Sequence, residues 1–248
     1  MEKAEGFVIR QVDFSESSKI LTLFTREYGK ISAMAKGAKR LRGSFEAALD
    51  LLTICNIVFI RKSSGALDLL TEAKLIQRFK AGEKSLENLY AGYYVAELLA
   101  SLTEEYDPHP QLYAEALSAL ERFSQGDQLE RAVLRFELML LQEIGHLPAL
   151  EGCLVCDHPI EPDMSYAFRA VQGGLICLEC LRQEPARRIH AGTISVIGKM
   201  LSENESDWLR MSISPGQLQE ARSIVNSSLS SLMGKRPKML SYLKFGHS

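Results

Sequence analysis

Two Cys-x-x-Cys pairs, "CLVC" and "CLEC", constrain the fold of this chain more than any other local feature. They contain Cys153, Cys156, Cys177 and Cys180, with residues 157–176 between the pairs. Each pair supplies two thiolates from one tight turn, and four thiolates at about 2.3 Å form the closed tetrahedron of a structural zinc site. Because such a site has no open position for water, we expect one structural Zn²⁺ per chain and no catalysis by the metal. Its affinity would stabilise a module at about 150–185 that is too small for a core of its own.

Two other interpretations of the four cysteines stay open. Two disulfides would use the same residues in an oxidising compartment, and an iron centre would use the same four thiolates. The N-terminal "MEKAEGFVIRQ" has acidic residues and no long apolar region, and no stretch is apolar enough for a membrane span. We therefore expect a cytoplasmic protein, in which disulfides are disfavoured. Cys55 stands alone in an apolar segment and is expected to be a small buried residue.

Strand patterns dominate the first 80 residues. Five segments are rich in Val, Ile, Thr and Phe and partly alternate apolar with polar residues. They are residues 6–14, 19–28, 30–37, 51–62 and 67–79. The connection "SSGA" suits a hairpin between the last two segments. Five short strands, with a small segment "FEAALD" after the third, predict a closed or nearly closed barrel of the OB type.

The rest of the chain is predicted to be mainly helical, because its apolar residues recur at spacings of three and four. The helical segments are residues 85–106, 111–123, 128–147, 191–202 and 214–237. Ser214 followed by Pro215 is typical of a helix N-cap with proline at the first helical position. We expect an α+β protein with an OB barrel at residues 1–80 and a helical domain at residues 81–248 that carries the inserted four-Cys module.

Charge is distributed in blocks, although the formal net charge is only -2. Residues 1–80 contain 14 Lys+Arg against 9 Asp+Glu, residues 81–163 contain 4 against 16, and residues 164–248 contain 11 against 6. A near-neutral total therefore permits local attraction to a polyanion. The densest group of cations is "KGAKRLR" at residues 36–42, where the third strand is predicted to end.

This group predicts contacts with nucleic-acid phosphates, because OB barrels bind single strands through a basic groove. The candidate DNA-binding residues are Arg10, Arg26, Lys30, Lys36, Lys39, Arg40, Arg42 and Arg61. If about four of them meet phosphates, the log–log slope of affinity against salt is about -3 on single strands. The alternative is that these cations only solvate the surface. The aromatic residues of this region are interpreted as core residues, so no base-stacking residue is predicted. They are Phe7, Phe14, Phe24, Tyr28 and Phe45.

The chain as a whole resembles the RecO family of bacterial recombination mediators. Three segments carry the resemblance in their order and spacing: "GFVIRQVDFSESSKILTLFTREYGKISAMAKGAKRLRGSFEAAL", "LRFELMLLQEIGHLPALEGCLVC" and "GGLICLECL". Members combine an N-terminal OB barrel with a helical domain and, in many cases, a four-Cys zinc module. The resemblance implies binding of single- and double-stranded DNA at the nucleoid, annealing of complementary strands, and loading of the RecA recombinase together with RecR. The cations of residues 36–42 would fall on the family's DNA-binding loop.

The resemblance also implies contact with the acidic C-terminal tail of the single-stranded-DNA-binding protein. Arg131 and Arg135, in "LERAVLRFELMLL", would hold the carboxylates of the tail, and Leu138 or Leu141 would line an apolar pocket. The alternative is that both arginines pair with acidic residues of their own helix.

No catalytic motif is present in the sequence. The five histidines are scattered, and neither a phosphate-binding loop of the Walker type nor a nucleophile elbow occurs. We therefore expect a DNA-binding mediator that is not an enzyme and has no small-molecule substrate. Two competing functions stay open: a zinc-ribbon adaptor that contacts proteins without a direct role on DNA, and a zinc-dependent nuclease.

Overall fold

The computed structural model describes residues 1–39, 45, 48–62, 66–162, 164–181, 187–202 and 204–247, without the side chains of residues 205, 206, 246 and 247. These residues form two compact units, Met1–Ala132 with Pro237–His247, and Val133–Arg236. The first unit thus contains helices that follow the barrel, so the domain boundary expected near residue 80 lies within it and stays a prediction. No helix in the described ranges combines the length and apolar composition that a membrane crossing requires.

Five strands form a closed barrel in the described part of the first unit. They are β1 (Glu2–Asp13), β2 (Lys19–Thr25), β3 (Gly29–Ala35), β4 (Ile54–Ile60) and β5 (Asp68–Gln77). Their order is β1-β2-β3-β5-β4, with β4 paired back onto β1. Only β3 and β5 pair in parallel among these neighbours. The predicted OB barrel is confirmed.

Alternation along the strands explains which side chains fill the barrel. In β3, buried and half-buried residues alternate without exception, and Ile31, Ala33 and Ala35 point inward. Successive side chains of a strand point to opposite faces, so one apolar set is enough to define the inner face. Phe45, Ala48 and Leu49, which follow the third strand, also belong to this core.

Two helices complete the larger part of the first unit: α1 (Leu86–Leu102) and α2 (Pro110–Gln125). The hydroxyl of Ser85 caps α1 by accepting from the Asn88 N–H at 3.1 Å, which satisfies one of the free donors at a helix start. Helix α2 packs on the barrel through Tyr113, whose ring lies 5.7 Å from that of Phe7 and 6.2 Å from that of Phe24. Short 3₁₀ turns lie at Ala81–Glu83, Met239–Tyr242 and Lys244–His247.

The loop between α1 and α2 docks on the start of β3. Tyr106 N–H donates to the Lys30 carbonyl at 2.9 Å, and the Ser32 hydroxyl donates to Glu105 at 2.6 Å. Gly29 has φ of +65°, and a Cβ there would lie 1.9 Å from the Asp107 carbonyl oxygen. The sequence needs glycine at this position both for the left-handed backbone and for the close approach.

The second unit contains most of α3 (Leu129–Glu143), a small sheet and three further helices. The strands are β6 (Ala149–Cys153), β7 (Ser165–Arg169), β8 (Gly174–Cys177) and β9 (Arg188–His190), in the order β6-β8-β7-β9. The helices are α4 (Ala191–Met200), α5 (Glu205–Leu209) and α6 (Pro215–Met233). Ser214 is the N-cap of α6 and Pro215 its first residue, as predicted, and Ser214 and Gln217 also form a reciprocal capping box. The sequence analysis missed β6 to β9 and α5, which are all short.

Candidate metal centre and nucleic-acid surface

The topology of the small sheet brings the two cysteine pairs together. Cys153 is the last residue of β6 and Cys177 the last residue of β8. These two strands are parallel neighbours, so they end at the same edge of the sheet. The turns that follow them, 153–156 and 177–180, therefore meet there. The two cysteine pairs were recognised in the sequence. The parallel pairing of β6 and β8 explains how Cys156 and Cys177, which are 21 residues apart in the chain, come into contact.

The spacing of the four sulfurs fits one metal ion. All four Sγ atoms lie within 4.8 Å of one another, and those of Cys156 and Cys177 are 3.8 Å apart. In a tetrahedron of sulfurs at about 2.3 Å from a central ion, neighbouring sulfurs are about 3.8 Å apart. All five cysteines of the chain lie in the described residues as free thiols, and the four of the cluster are close enough to share one ion.

Backbone N–H groups favour the thiolate form of Cys153. Its sulfur accepts from the N–H of Val155 at 3.4 Å and of Cys177 at 3.3 Å. Burial raises the pKa of the Cys153 thiol, but the N–H groups of Cys177, Cys156 and Val155 outweigh burial and lower the pKa to about 6. Hydrogen bonds with the thiols of Cys177 and Cys156 raise the pKa of Cys180 to about 12. Because the thiolate is the ligating form, the cluster is suited to a cation that would allow all four sulfurs to ionise.

Close backbone packing holds the first cysteine turn in place. The Cys153 N–H donates to the His158 carbonyl at 2.9 Å, and Asp157 takes the left-handed conformation with φ of +55°. A Cβ on Gly152 would lie 2.8 Å from the His158 oxygen. A glycine before the first cysteine is therefore part of the turn geometry.

Lys36 and Lys39, two of the predicted DNA-binding residues, lie at one end of the barrel. Strand register aligns Asp13, Lys19 and Ala35 in one row across β1, β2 and β3. Lys36 directly follows this row and is exposed. Arg40 and Arg42 lie outside the described residues.

Lys39 connects the loop after β3 to the loop between β1 and β2. Its Nζ lies 3.0 Å from the Asp13 carboxylate and donates to the Ser15 carbonyl at 3.0 Å. Its backbone N–H donates to the Ser17 carbonyl at 3.2 Å. The side chain retains 30% of its exposure. An ammonium has three donors, so these two contacts leave one donor for an anion.

The other four predicted cations have different environments. Arg10 is exposed on β1, and Arg61 is exposed with its guanidinium 3.7 Å from the centre of the Tyr106 ring. Arg26 forms an ion pair with Glu5. Lys30 Nζ donates to the carbonyls of Ala100 and Thr103 at the C-terminal end of α1, where a cation is favourable. The Lys30 ammonium therefore stabilises the contact between β3 and α1, and it does not belong to the DNA-binding surface proposed below.

The four predicted partner-binding residues are mostly internal. Arg135 is buried, and its Nη1 donates to the carbonyls of Met200 and Ser202 at the end of α4. Leu138 and Leu141 are buried, with 1% and 0% exposure. Arg131 is half-buried and donates weakly to Gln128 at 3.4 Å. Three of the four residues thus belong to the interior of the second unit, and a partner contact through them stays a prediction.

The structure also shows two residues whose placement the sequence did not reveal. Phe14 was grouped with core aromatics, but 59% of it is exposed, whereas Phe7 and Phe24 are fully buried. The signal available in the sequence was its position at the end of the predicted strand, directly before the polar run "SESS". Tyr106 comes from the α1–α2 loop and donates its hydroxyl to Asp68 on β5, which no local pattern indicates.

Comparisons with known proteins agree with this architecture. The family model described as "Recombination protein O N terminal" matches residues 1–79, and "Recombination protein O C terminal" matches residues 83–241. "DNA repair protein RecO" of Rhodopirellula baltica is 37% identical over 263 aligned positions, covering 96% of this chain and 97% of that protein. The protein of the same description from Syntrophus aciditrophicus is 30% identical over 244 positions, covering 97% and 94%. This chain, with its closed N-terminal barrel, helical part and four-cysteine cluster, therefore belongs to the RecO family of DNA repair proteins.

Proposed function

We propose that this protein is a recombination mediator that binds DNA through one end of its barrel and anneals complementary strands. The protein also helps to load RecA, together with RecR, onto single-stranded DNA that is coated by single-stranded-DNA-binding protein. It acts on chromosomal DNA in the cytoplasm. The observation that carries the proposal is the cationic barrel end, where Lys36 is exposed and Lys39 keeps one ammonium donor for an anion.

Electrostatics supply the mechanism of annealing. Two strands repel each other through their phosphates, and cations that neutralise phosphates release condensed counterions. Each phosphate neutralised on a single strand contributes about -0.7 to the log–log salt slope. The bases stay free to pair if the protein holds mainly the backbone. Binding energy alone can therefore drive annealing, and the proposal assigns no catalytic residue.

We assign the four-cysteine cluster to a structural Zn²⁺. Four thiolates with tetrahedral spacing form a closed site, in which zinc is the usual ion of a reducing compartment. Cys153, Cys156, Cys177 and Cys180 would hold it, and it would join the ends of β6 and β8. An iron centre with the same ligands is distinguished from zinc by elemental analysis.

Salt-dependent binding tests the DNA-binding part. Fluorescence anisotropy with a labelled oligonucleotide should show that Lys36→Ala with Lys39→Ala weakens binding and reduces the magnitude of the log–log salt slope by about 1.4. The matched control is Lys3→Ala with Lys74→Ala, which removes the same charge from exposed positions on β1 and β5 of the same barrel. Equal effects of the two double substitutions would show that only net charge matters and would refute the assignment of this end.

Annealing and loading need their own assay. Complementary strands coated with single-stranded-DNA-binding protein should anneal faster with this protein, and Lys36→Ala with Lys39→Ala should slow this more than the control pair does. Labelled DNA incubated with divalent metals should keep its length, whereas shortened products would favour a nuclease.

One observation favours a second function for the four-cysteine module. Val155, in the first cysteine turn, and Val171, at the tip between β7 and β8, are 61% and 95% exposed. Apolar side chains mark a contact surface where they form a contiguous exposed patch, and such a patch would suit an adaptor that binds a partner protein. DNA binding that is indifferent to salt and to both lysine substitutions would favour the adaptor function.

A further inference from the structure

We propose that Phe14 is a base-stacking residue, which binds an unpaired nucleobase of single-stranded DNA. This inference rests on the proposed binding of DNA at the same barrel end and names the chemical group that recognises a single strand there. Single-stranded nucleic acid presents flat bases and charged phosphates in alternation, so a binding surface needs both an aromatic face and cations.

The exposure of Phe14 is exceptional among the phenylalanines in the described part of the barrel. Phe7, Phe24 and Phe59 are fully buried, and Phe45 is 8% exposed, whereas Phe14 is 59% exposed. Val12, two residues earlier, is also exposed at 46%. Water therefore covers an apolar ring in a loop whose following residues, "SESS", are all polar. The ring has no role in the core that would account for it.

The loop that carries Phe14 is held in place. The N–H groups of Phe14 and Ser15 both donate to the Ser18 carbonyl, at 3.1 and 3.3 Å. Lys39 contacts the residues on both sides of Phe14, because its Nζ reaches the Asp13 carboxylate and the Ser15 carbonyl. A ring on a loop fixed in this way loses little conformational freedom on binding.

The strands next to the Phe14 loop carry cations at the same end of the barrel. Lys19 on β2 lies between Asp13 on β1 and Ala35 on β3, and these three residues form one row across the strands. Phe14 and Lys36 each lie one residue beyond this row. Two strand spacings separate them, roughly 10 Å. Asp13 is neutralised by Lys39, and Glu16 is the other acidic residue of the loop. This balance of charge favours an anionic partner over an uncharged apolar one, and the exposed ring beside the cations suits an anionic partner that also presents flat bases.

The proposal predicts a loss of affinity that is specific to single strands and independent of salt. Removing a stacking ring weakens single-strand binding by about 5- to 100-fold. Because Phe14 carries no charge, Phe14→Ala should leave the log–log salt slope unchanged. Binding to duplex DNA should also be unchanged, since paired bases are not available to stack on a side chain.

The experiment measures anisotropy of a labelled single strand and of its duplex over a salt series. Phe14→Ala and Phe14→Leu should both lose affinity for the single strand, because leucine keeps apolar volume without an aromatic face. Phe14→Trp, which keeps an aromatic face, should retain the single-strand affinity of the unsubstituted protein. Tyr242→Ala, which removes another exposed aromatic residue of the same unit, is the matched control and should bind normally. Thermal unfolding followed by circular dichroism verifies that each variant is folded.

Three outcomes separate this inference from the proposed function. If the unsubstituted protein shows no salt-dependent DNA binding, the proposed function fails. If it binds DNA but Phe14→Ala retains full single-strand affinity, the stacking role alone is overturned. If Phe14→Leu binds like the unsubstituted protein while Phe14→Ala does not, Phe14 acts as an apolar contact and the stacking role is likewise overturned.

Discussion

Replacing Gly29 by alanine should destabilise the first unit by about 3–6 kcal/mol. The left-handed backbone at φ of +65° costs a residue with a side chain about 1–2 kcal/mol. The new Cβ would lie 1.9 Å from the Asp107 oxygen, so the α1–α2 loop would have to leave β3. That movement removes the hydrogen bond from Tyr106 N–H to the Lys30 carbonyl and disturbs the contacts of the Lys30 ammonium with the end of α1. A neutral hydrogen bond contributes about 1 kcal/mol and one to a charged group about 1.5–3 kcal/mol.

Gly126→Ala is the matched control for this prediction. Gly126 ends α2 with φ of +83°, and the nearest atoms to an added Cβ are side-chain atoms at 3.8 Å. Only the backbone penalty applies there, so the expected loss is about 1–2 kcal/mol. Urea unfolding followed by circular dichroism and tyrosine fluorescence measures both variants. Equal losses of stability for Gly29→Ala and Gly126→Ala would refute the reasoning, because they would mean that the loop is not docked on β3.

Two further predictions concern the second unit. Cys177→Ser, or treatment with a strong chelator, should remove the bound metal and lower the melting temperature of the second unit, because metal binding contributes to the folding free energy of such a module. The control is Cys55→Ala, at a buried barrel position. This variant should retain about one metal ion per chain by elemental analysis. A full metal content in Cys177→Ser would contradict the four-cysteine site. Acid should weaken the contact between α6 and the start of α4, where Glu220 accepts from the Thr193 hydroxyl at 2.6 Å and the His190 N–H at 2.9 Å. Burial raises the pKa of Glu220, but these hydrogen bonds outweigh it and the net pKa is lowered from 4.5. A lowered pKa means that this stabilisation is complete above pH 4.5 and is lost as pH falls through the folded-state value. Urea midpoints should therefore differ between Glu220→Gln and the unsubstituted protein at pH 6, and converge at pH 3; a difference that is independent of pH would contradict this assignment.

The elements predicted from the sequence are those that depend on local patterns. Alternating apolar residues marked β1 to β5, and the "SPGQ" cap marked the start of α6, because both signals lie within a few residues of each other in the chain. The two cysteine pairs were likewise recognised from spacing alone. The strands of the small sheet were missed because segments of three to five residues carry too few alternations to stand out.

Sequence alone was thus sufficient for the barrel, the helical part and the four-cysteine cluster, which follow from residue type and near-neighbour spacing. It was also sufficient for the family, which the resemblance of three segments indicated. The role of each side chain depended on long-range packing. Lys30 and Lys36 look equivalent as cations on one strand, yet Lys30 meets the carbonyls of Ala100 and Thr103 while Lys36 faces solvent. Phe14 and Phe24 look equivalent as strand aromatics, yet only Phe24 points into the core. The physical reason is that burial and hydrogen bonding at these positions are set by α1, α2 and the register of β1 to β3, which are distant in the sequence and close only after the barrel has closed.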